Sequence, residues 1–98
     1  MRIVIKKPGQ PAEARNVPNT LEQWQMLVGG YIETMTLSEN LILICNEEGQ
    51  LLDLEPNFKY YNSIILGPVV FVGIKDDEFI DIDRDMERGL IDFFREGY

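Results

Sequence analysis

Residues 29–49, GGYIETMTLSENLILICNEEG, place five uninterrupted apolar residues between two turns. An apolar run of this length, Leu41–Cys45, is typical of a strand that is covered on both faces of a sheet. The β-rich segment Tyr31–Leu37 precedes it, and Ser38-Glu39-Asn40 has the composition of a turn. This stretch therefore predicts an antiparallel pair of strands with Leu41–Cys45 in the middle of the sheet.

The same stretch ends in two carboxylates beside a cysteine, which raises the question of chemistry. Asn46-Glu47-Glu48-Gly49 has Asn first and Gly last, the preference of a type I turn. Adjacent carboxylates on a turn point in different directions and are poorly placed as an acid–base pair. Cys45 continues an apolar strand, where a free cysteine behaves as a small hydrophobic residue. We predict a hairpin turn here, with no catalytic residue.

The N-terminal segment alternates in polarity. Ile3 and Ile5 are expected to face a core, while Arg2, Val4 and Lys6 face the other way. This pattern predicts a half-buried strand.

The remaining elements follow from capping, turn and periodicity signals. The first are a strand at 12–17 and a helix from Asn19 or Thr20 to Gly29, with Trp24 in its buried stripe. A returning strand at 50–54, an irregular loop at 55–62 and a strand at 63–74 bent at Gly67-Pro68 follow the 46–49 turn. After a polar break at 76–81 comes a helix capped by Asp81 or Asp83, which buries Ile82, Met86, Leu90, Phe93 and Phe94. The order ββαββββα predicts an α+β fold, a single mostly antiparallel sheet with two helices, in one domain spanning residues 1–98.

Composition narrows the chemistry that the chain can perform. The 98 residues are 45% hydrophobic and 27% charged, the balance of a sequence that forms a core. There is no histidine, so the commonest general base and metal ligand are missing. One cysteine cannot form an intramolecular disulfide. We predict no catalytic residue, no metal site and no cofactor, and interpret the chain as a non-enzyme.

The net charge of −8 disfavours direct binding to a nucleic-acid backbone. Residues 76–98 hold nine of the acidic residues and three arginines. Within them, Asp81-x-Asp83-x-Asp85 resembles the opening of a calcium loop, but Met86 stands where that loop needs glycine. We interpret these acids as the first turn of a helix, where they complement the helix dipole.

Hydropathy predicts no membrane association. The longest apolar stretch, Ile64–Val72, is interrupted by Gly67 and Pro68 and is far shorter than the roughly 20 residues needed to span a bilayer. The N-terminal apolar run is too short for a signal peptide. We expect a cytoplasmic protein.

A candidate binding surface combines the 46–49 turn with the irregular 56–62 segment. Its residues are Asn46, Glu47, Glu48, Gly49, Pro56, Asn57, Lys59, Tyr60 and Tyr61. Three aromatic residues, Phe58, Tyr60 and Tyr61, exceed what a turn requires. They could fill the core, form a self-association surface or line a ligand site.

Several ordered motifs resemble one protein family. They are Asn19-Thr20-Leu21, Leu27-Val28-Gly29-Gly30-Tyr31-Ile32-Glu33, Ile44-Cys45-Asn46-Glu47-Glu48-Gly49, Leu54-x-Pro56-Asn57 and Ile65-x-Gly67-x-x-x-Phe71-Val72-Gly73. Together they resemble domain-of-unknown-function family 3846. The resemblance implies a small protein of phages, mobile elements or the bacteria that carry them, and it implies no activity or catalytic residue.

These observations favour a non-catalytic binding protein in a bacterial host cell. Its partner would be a host or phage protein or a small ligand, and self-association remains open. One alternative is a sponge for small nucleotide signals, with Tyr60 and Tyr61 for stacking and Lys59 as a cation. Another is a DNA mimic that presents the acids of the C-terminal helix to a host protein.

Overall fold

The computed structural model describes residues 1–97 and is built around an antiparallel sheet. Its strands are β1 (Arg2–Lys6), β2 (Glu13–Asn16), β3 (Ile32–Ser38), β4 (Leu41–Asn46), β5 (Pro56–Tyr60), β6 (Ser63–Leu66), β7 (Val69–Lys75) and β8 (Glu78–Ile80), and its helices are α1 (Leu21–Val28) and α2 (Arg84–Phe93). The main sheet has the order β2-β1-β7-β4-β3, with β8 also paired to β7, and β5 and β6 form a separate hairpin. The predicted α+β class is confirmed, and the predicted order matches in outline.

Strand β4 is buried along its whole length, as its apolar run predicts. Leu41, Leu43 and Cys45 face the hairpin and α2, while Ile42 and Ile44 face α1. Because successive side chains of a strand point to opposite faces, this one run of sequence supplies both layers of the core.

Helix α1 begins and ends where the sequence predicts. The Thr20 side chain accepts a hydrogen bond from the Gln23 amide at 3.1 Å, and Gly29 ends the helix with a φ of 82°. Trp24 is 2% exposed and packs edge-on against Phe79 at 5.8 Å between ring centroids. The helix is therefore fixed on the Ile42 face of the sheet.

Helix α2 is capped by Asp83, as predicted, through bonds from the Asp85 and Met86 amides. Phe94, just after the helix, is 3% exposed, but the prediction that Phe93 is buried is wrong, because it is 74% exposed. Met86, Leu90 and Phe94 recur every four residues along one stripe, and Phe93 lies beside that stripe. In the part of the chain that the structure describes, neither helix has the length and hydropathy needed to cross a membrane.

One strand prediction and one loop prediction between residues 50 and 62 are wrong. Gln50–Leu54 is a compact turn, because the Leu52 and Leu54 amides bond back to the carbonyls of Glu48 and Gly49 at 2.9 and 3.0 Å. The segment 55–62, predicted as an irregular loop, contains β5 and the turn to β6. Pro56 is tolerated there because it is the first residue of a strand.

The segment 63–74 is two strands in different sheets, so the prediction of one bent strand is also wrong. Gly67 separates them at a φ of 77°, a conformation that glycine adopts without strain. The predicted polar break at 76–81 contains β8, because Asp76 and Asp77 both adopt positive φ and form a two-residue hairpin turn.

Lys6 is 0% exposed, which contradicts the prediction that it lies on an outward face. Its Nζ donates hydrogen bonds to Asn57 Oδ1 at 2.8 Å, to the Lys7 carbonyl at 2.7 Å and to the Gly97 carbonyl at 3.0 Å. These three acceptors match the three N–H groups of an ammonium. Burial lowers the pKa of Lys6.

Asn57 completes this buried network from the hairpin. Its Nδ2 donates to the carbonyls of Lys6 and Gly67, both at 2.8 Å. Lys6 and Asn57 therefore exchange hydrogen bonds across 51 positions of sequence. Next to them Phe58 packs against Phe94, with 4.9 Å between ring centroids. The network and this aromatic contact hold the hairpin against the main sheet.

Replacement of Asn57 by alanine should destabilise the protein by about 3 kcal/mol, because it leaves a buried ammonium and two buried carbonyls short of a partner. Urea denaturation measures this change. Asn62→Ala, in the exposed turn of the same hairpin, is the matched control and should change stability by less than about 0.5 kcal/mol. Equal effects of the two substitutions would contradict a structural role for Asn57.

Candidate functional site

An open groove of about 1000 Å³ lies between β3, the turn that follows β4, and the hairpin. It is lined by Tyr31, Glu33, Met35, Cys45, Asn46, Glu47, Glu48, Gly49, Gln50, Leu51, Pro56, Asn62, Ser63, Ile64, Ile65 and Leu66. The hairpin forms one wall and β3 forms the opposite wall. We call this feature the β3 groove.

Large apolar side chains are exposed in the β3 groove. Leu51 is 84% exposed, Tyr31 is 65% exposed and Ile64 is 61% exposed. Each comes from a different part of the groove: Leu51 from the turn after β4, Tyr31 from the residue just before β3, and Ile64 from the hairpin. Apolar residues that are exposed together in a concave surface are a feature of interaction sites, whereas scattered single ones are not.

Three carboxylates accompany these apolar groups. Glu33, Glu47 and Glu48 all line the groove and are exposed, and no lining residue is lysine or arginine. Low-dielectric walls concentrate the field of charges of one sign in a cleft. The β3 groove is therefore suited to a ligand that combines positive charge with apolar surface.

The Asn46 side chain holds the acidic turn in place. Its Oδ1 accepts from the Glu48 amide at 2.7 Å and its Nδ2 donates to the Val28 carbonyl at 3.2 Å, at the end of α1. The Glu47 amide donates to the Tyr31 carbonyl at 2.8 Å. Asn46 is 5% exposed, so it positions the two glutamates and presents little of its own surface.

The structure brings together five of the nine predicted site residues. Those that line the groove are Asn46, Glu47, Glu48, Gly49 and Pro56. Asn57 is buried with its amide bonded to β1 and to Gly67. Lys59, Tyr60 and Tyr61 belong to the hairpin but are not groove-lining residues. Tyr61 is 81% exposed at the hairpin turn, where its ring packs edge-on against Tyr60 at 4.7 Å.

Sequence reasoning missed the contribution of β3. Glu33 and Met35 of that strand, and Tyr31 just before it, alternate along the chain and line the groove. The period of two was a signal for this face, but only the fold shows that the hairpin lies opposite. Leu51 and Ile64 were missed because their segments were predicted as ordinary strands.

Cys45 lies at the base of the groove and is 8% exposed. Burial, with a smaller contribution from the charge of Glu33, raises the pKa of its thiol to about 11. At neutral pH the group is therefore a protonated thiol, which is a poor nucleophile.

Several acids of the C-terminal segment have structural partners. Asp81 Oδ1 accepts from the Arg2 amide at 2.9 Å, and Glu87 forms an ion pair with the Arg2 guanidinium at 2.8 Å. This ion pair lowers the pKa of Glu87. Asp83 caps α2. Over residues 1–97, no group of three or more His, Cys, Asp or Glu side chains is placed to hold a metal ion.

Replacement of Cys45 by alanine should remove an alkaline loss of stability. Between the ordinary thiol pKa of 9.0 and the folded value of about 11, the unfolded chain has lost a proton that the folded protein keeps. Rising pH therefore favours unfolding, by up to about 2 kcal/mol more in the wild type than in Cys45→Ala across this window. The measurement is urea denaturation of both proteins from pH 8 to 11.

The quantity to compare is the difference in unfolding free energy between the two proteins as a function of pH. Its absolute value is not informative, because alanine also costs stability at every pH. The contribution of Lys6 is common to both proteins and cancels. A constant difference across the window would show that the folded thiol titrates near its ordinary pKa.

Comparison with known proteins places the chain in a family but assigns it no activity. No match is found among curated proteins or among solved structures. One family model, described as Domain of unknown function (DUF3846), matches residues 1–95. The match covers nearly the whole chain and includes every groove-lining residue. The chain belongs to this family.

Proposed function

We propose that this chain is a non-catalytic binding protein, whose β3 groove receives a segment of a partner protein that carries both cationic and apolar side chains. The observation that carries the proposal is the joint presence of Glu33, Glu47 and Glu48 with exposed apolar residues in one groove. The family resemblance suggests a host or phage protein in a bacterial cytoplasm as the partner.

The apolar side chains would supply most of the affinity. Burial of apolar surface stabilises a complex by about 25 cal/mol per Å², and aromatic and aliphatic anchors at the centre of an interface carry most of its binding energy. Tyr31, Leu51 and Ile64 are already exposed in the groove, so a partner would not have to displace them from a core.

The carboxylates would supply selectivity. Charges in a cleft accelerate the encounter with partners of opposite sign and penalise partners of the same sign. The net charge of −8 adds to this field. A cationic segment is therefore favoured over a second copy of this chain, whose own groove would bring like charges together.

The two other hypotheses have less support. A nucleotide would bring its negative phosphates towards Glu33, Glu47 and Glu48, and Lys59 is not a groove-lining residue. A DNA mimic needs free carboxylates on α2 and at its start, whereas the cap Asp83 and the helical Glu87 already bond to groups of the chain itself.

Selection from a displayed library of random peptides tests the proposal. We expect the recovered peptides to be enriched in lysine or arginine interspersed with apolar residues. A labelled synthetic peptide from the selection should bind at least about tenfold more weakly to the triple variant Glu33→Gln, Glu47→Gln and Glu48→Gln, a loss of about 1.4 kcal/mol. Fluorescence anisotropy measures the affinity, and added salt should weaken binding to the wild type more than to the variant.

The matched control neutralises three exposed glutamates outside the groove, Glu22, Glu39 and Glu78. It changes the net charge equally and should bind the peptide nearly as well as the wild type. Equal losses in both triple variants would indicate a non-specific charge effect and contradict the groove as the site. Recovery of no binding peptide, or calorimetric binding of a common cyclic or linear nucleotide in its place, would overturn the proposal.

A further inference from the structure

We infer that the partner segment binds in an extended conformation and adds a strand to the open edge of β3. This inference rests on the proposed function and specifies how the β3 groove would be used. It concerns the backbone of β3, whereas the proposal above concerns side chains.

Strand β3 is the last strand of the main sheet. Its described pairing is with β4 alone, and it has seven residues. The opposite edge is β2, which has four residues and carries the ion pair of Glu13 with Arg15. Short, charged edges discourage further pairing, whereas a longer edge offers a row of backbone donors and acceptors. Strand β8, which has three residues and a described pairing with β7 alone, is a further and still shorter edge. Among these edges, β3 is the one suited to accept another strand.

The pairing with β4 identifies the backbone groups on the open edge. The Tyr31 carbonyl bonds to the Glu47 amide, and Glu33 lies opposite Cys45 and Met35 opposite Leu43. In an antiparallel pair, the residues that bond across the ladder alternate with residues whose N–H and C=O point away from it. The N–H and C=O groups on the open edge therefore belong to Ile32, Thr34 and Thr36. These are the three residues whose backbone a partner strand would bond.

The same strand directs its other side chains into the groove. Tyr31, Glu33 and Met35 line it, and the hairpin residue Ile64 lies on the opposite wall. A strand added to β3 would lie about 4.8 Å from it, and every second side chain would point into the groove. Cationic residues at these alternate positions would meet Glu33, and apolar residues would meet Met35 and Ile64.

Glu33 also disfavours pairing between two copies of this chain. A charged residue on an edge strand is a common protection against edge-to-edge association. Two β3 strands side by side would bring the carboxylates of both grooves together, which is unfavourable. The irregularity between Thr36 and Ser38 limits the pairing surface to the first part of the strand.

A matched pair of substitutions at Thr34 tests the inference. Thr34→Pro removes an outward N–H while leaving the ladder with β4 intact, because proline is tolerated on an edge where the N–H faces solvent. Thr34→Val keeps the N–H and the branched shape. With a labelled cationic–apolar peptide from the library selection, we expect binding to weaken by about tenfold or more in Thr34→Pro and to change by less than about twofold in Thr34→Val.

Far-ultraviolet circular dichroism and urea denaturation establish that Thr34→Pro is folded. Amide hydrogen exchange in the wild type gives a second readout that needs no substitution: the Ile32, Thr34 and Thr36 amides should become protected when the peptide is added. Protection of these amides with loss of binding in Thr34→Pro supports strand addition.

Each other outcome separates the inference from the proposal on which it rests. If the peptide binds and depends on Glu33, Glu47 and Glu48, but Thr34→Pro binds equally and the amides stay unprotected, strand addition is wrong and the groove proposal stands. If no peptide binds, both fail. If sedimentation shows a dimer that Thr34→Pro dissociates, the occupant of the edge is a second copy and the inferred partner is wrong.

Discussion

The hydrogen bonds exchanged between Lys6 and Asn57 are the constraint on which the rest of the structure depends. The hairpin pairs only with itself among the described strands, so no backbone ladder attaches it to the main sheet. Asn57 makes that attachment by bonding to the backbone and the side chain of Lys6. A buried polar network is tolerated only when its members are satisfied, and no buried side-chain nitrogen or oxygen of residues 1–97 lacks a partner.

This attachment determines the geometry of the groove. Asn57 and Phe58 face the interior and fix β5, and β6 follows because it pairs with β5 through Tyr60 and Ser63. Ile64 is therefore exposed towards β3 as a consequence of contacts made by its neighbours. On the other side, Asn46 fixes the acidic turn to the end of α1. Asn46 and Asn57, both in motifs that carry the family resemblance, thus position the walls of the groove. Asn46 is itself a lining residue, whereas Asn57 is not.

Features that depend on neighbouring residues could be predicted from the sequence. The burial of Leu41–Cys45, the Thr20 cap and the Gly29 terminus follow from local composition, because each depends on residues within one turn or one strand. The β7–β8 turn was missed because Asp76 and Asp77 adopt positive φ, a conformation more often signalled by glycine or asparagine.

Features that depend on distant residues could not be predicted. Lys6 was assigned to an outward face because residues 2–6 alternate in polarity. The partner that makes its burial possible, Asn57, lies 51 positions away. For the same reason, only five of the nine predicted site residues line the groove. The turn at 46–49 carries its own signal, whereas the contribution of Tyr31 depends on where the hairpin lies.

Glu33 affects both the thiol at the base of the groove and the open edge of β3. Its charge helps to raise the pKa of Cys45, which keeps the thiol beneath it neutral and unreactive. It lies on the same strand whose outer edge has no described partner. A carboxylate on this strand disfavours pairing with the β3 edge of a second copy and favours pairing with a strand that carries positive charge. An uncharged residue at this position would leave a seven-residue edge beside exposed Tyr31 and Ile64, a combination that promotes aggregation. The acidity of the groove is thus a condition for leaving β3 open to the proposed partner.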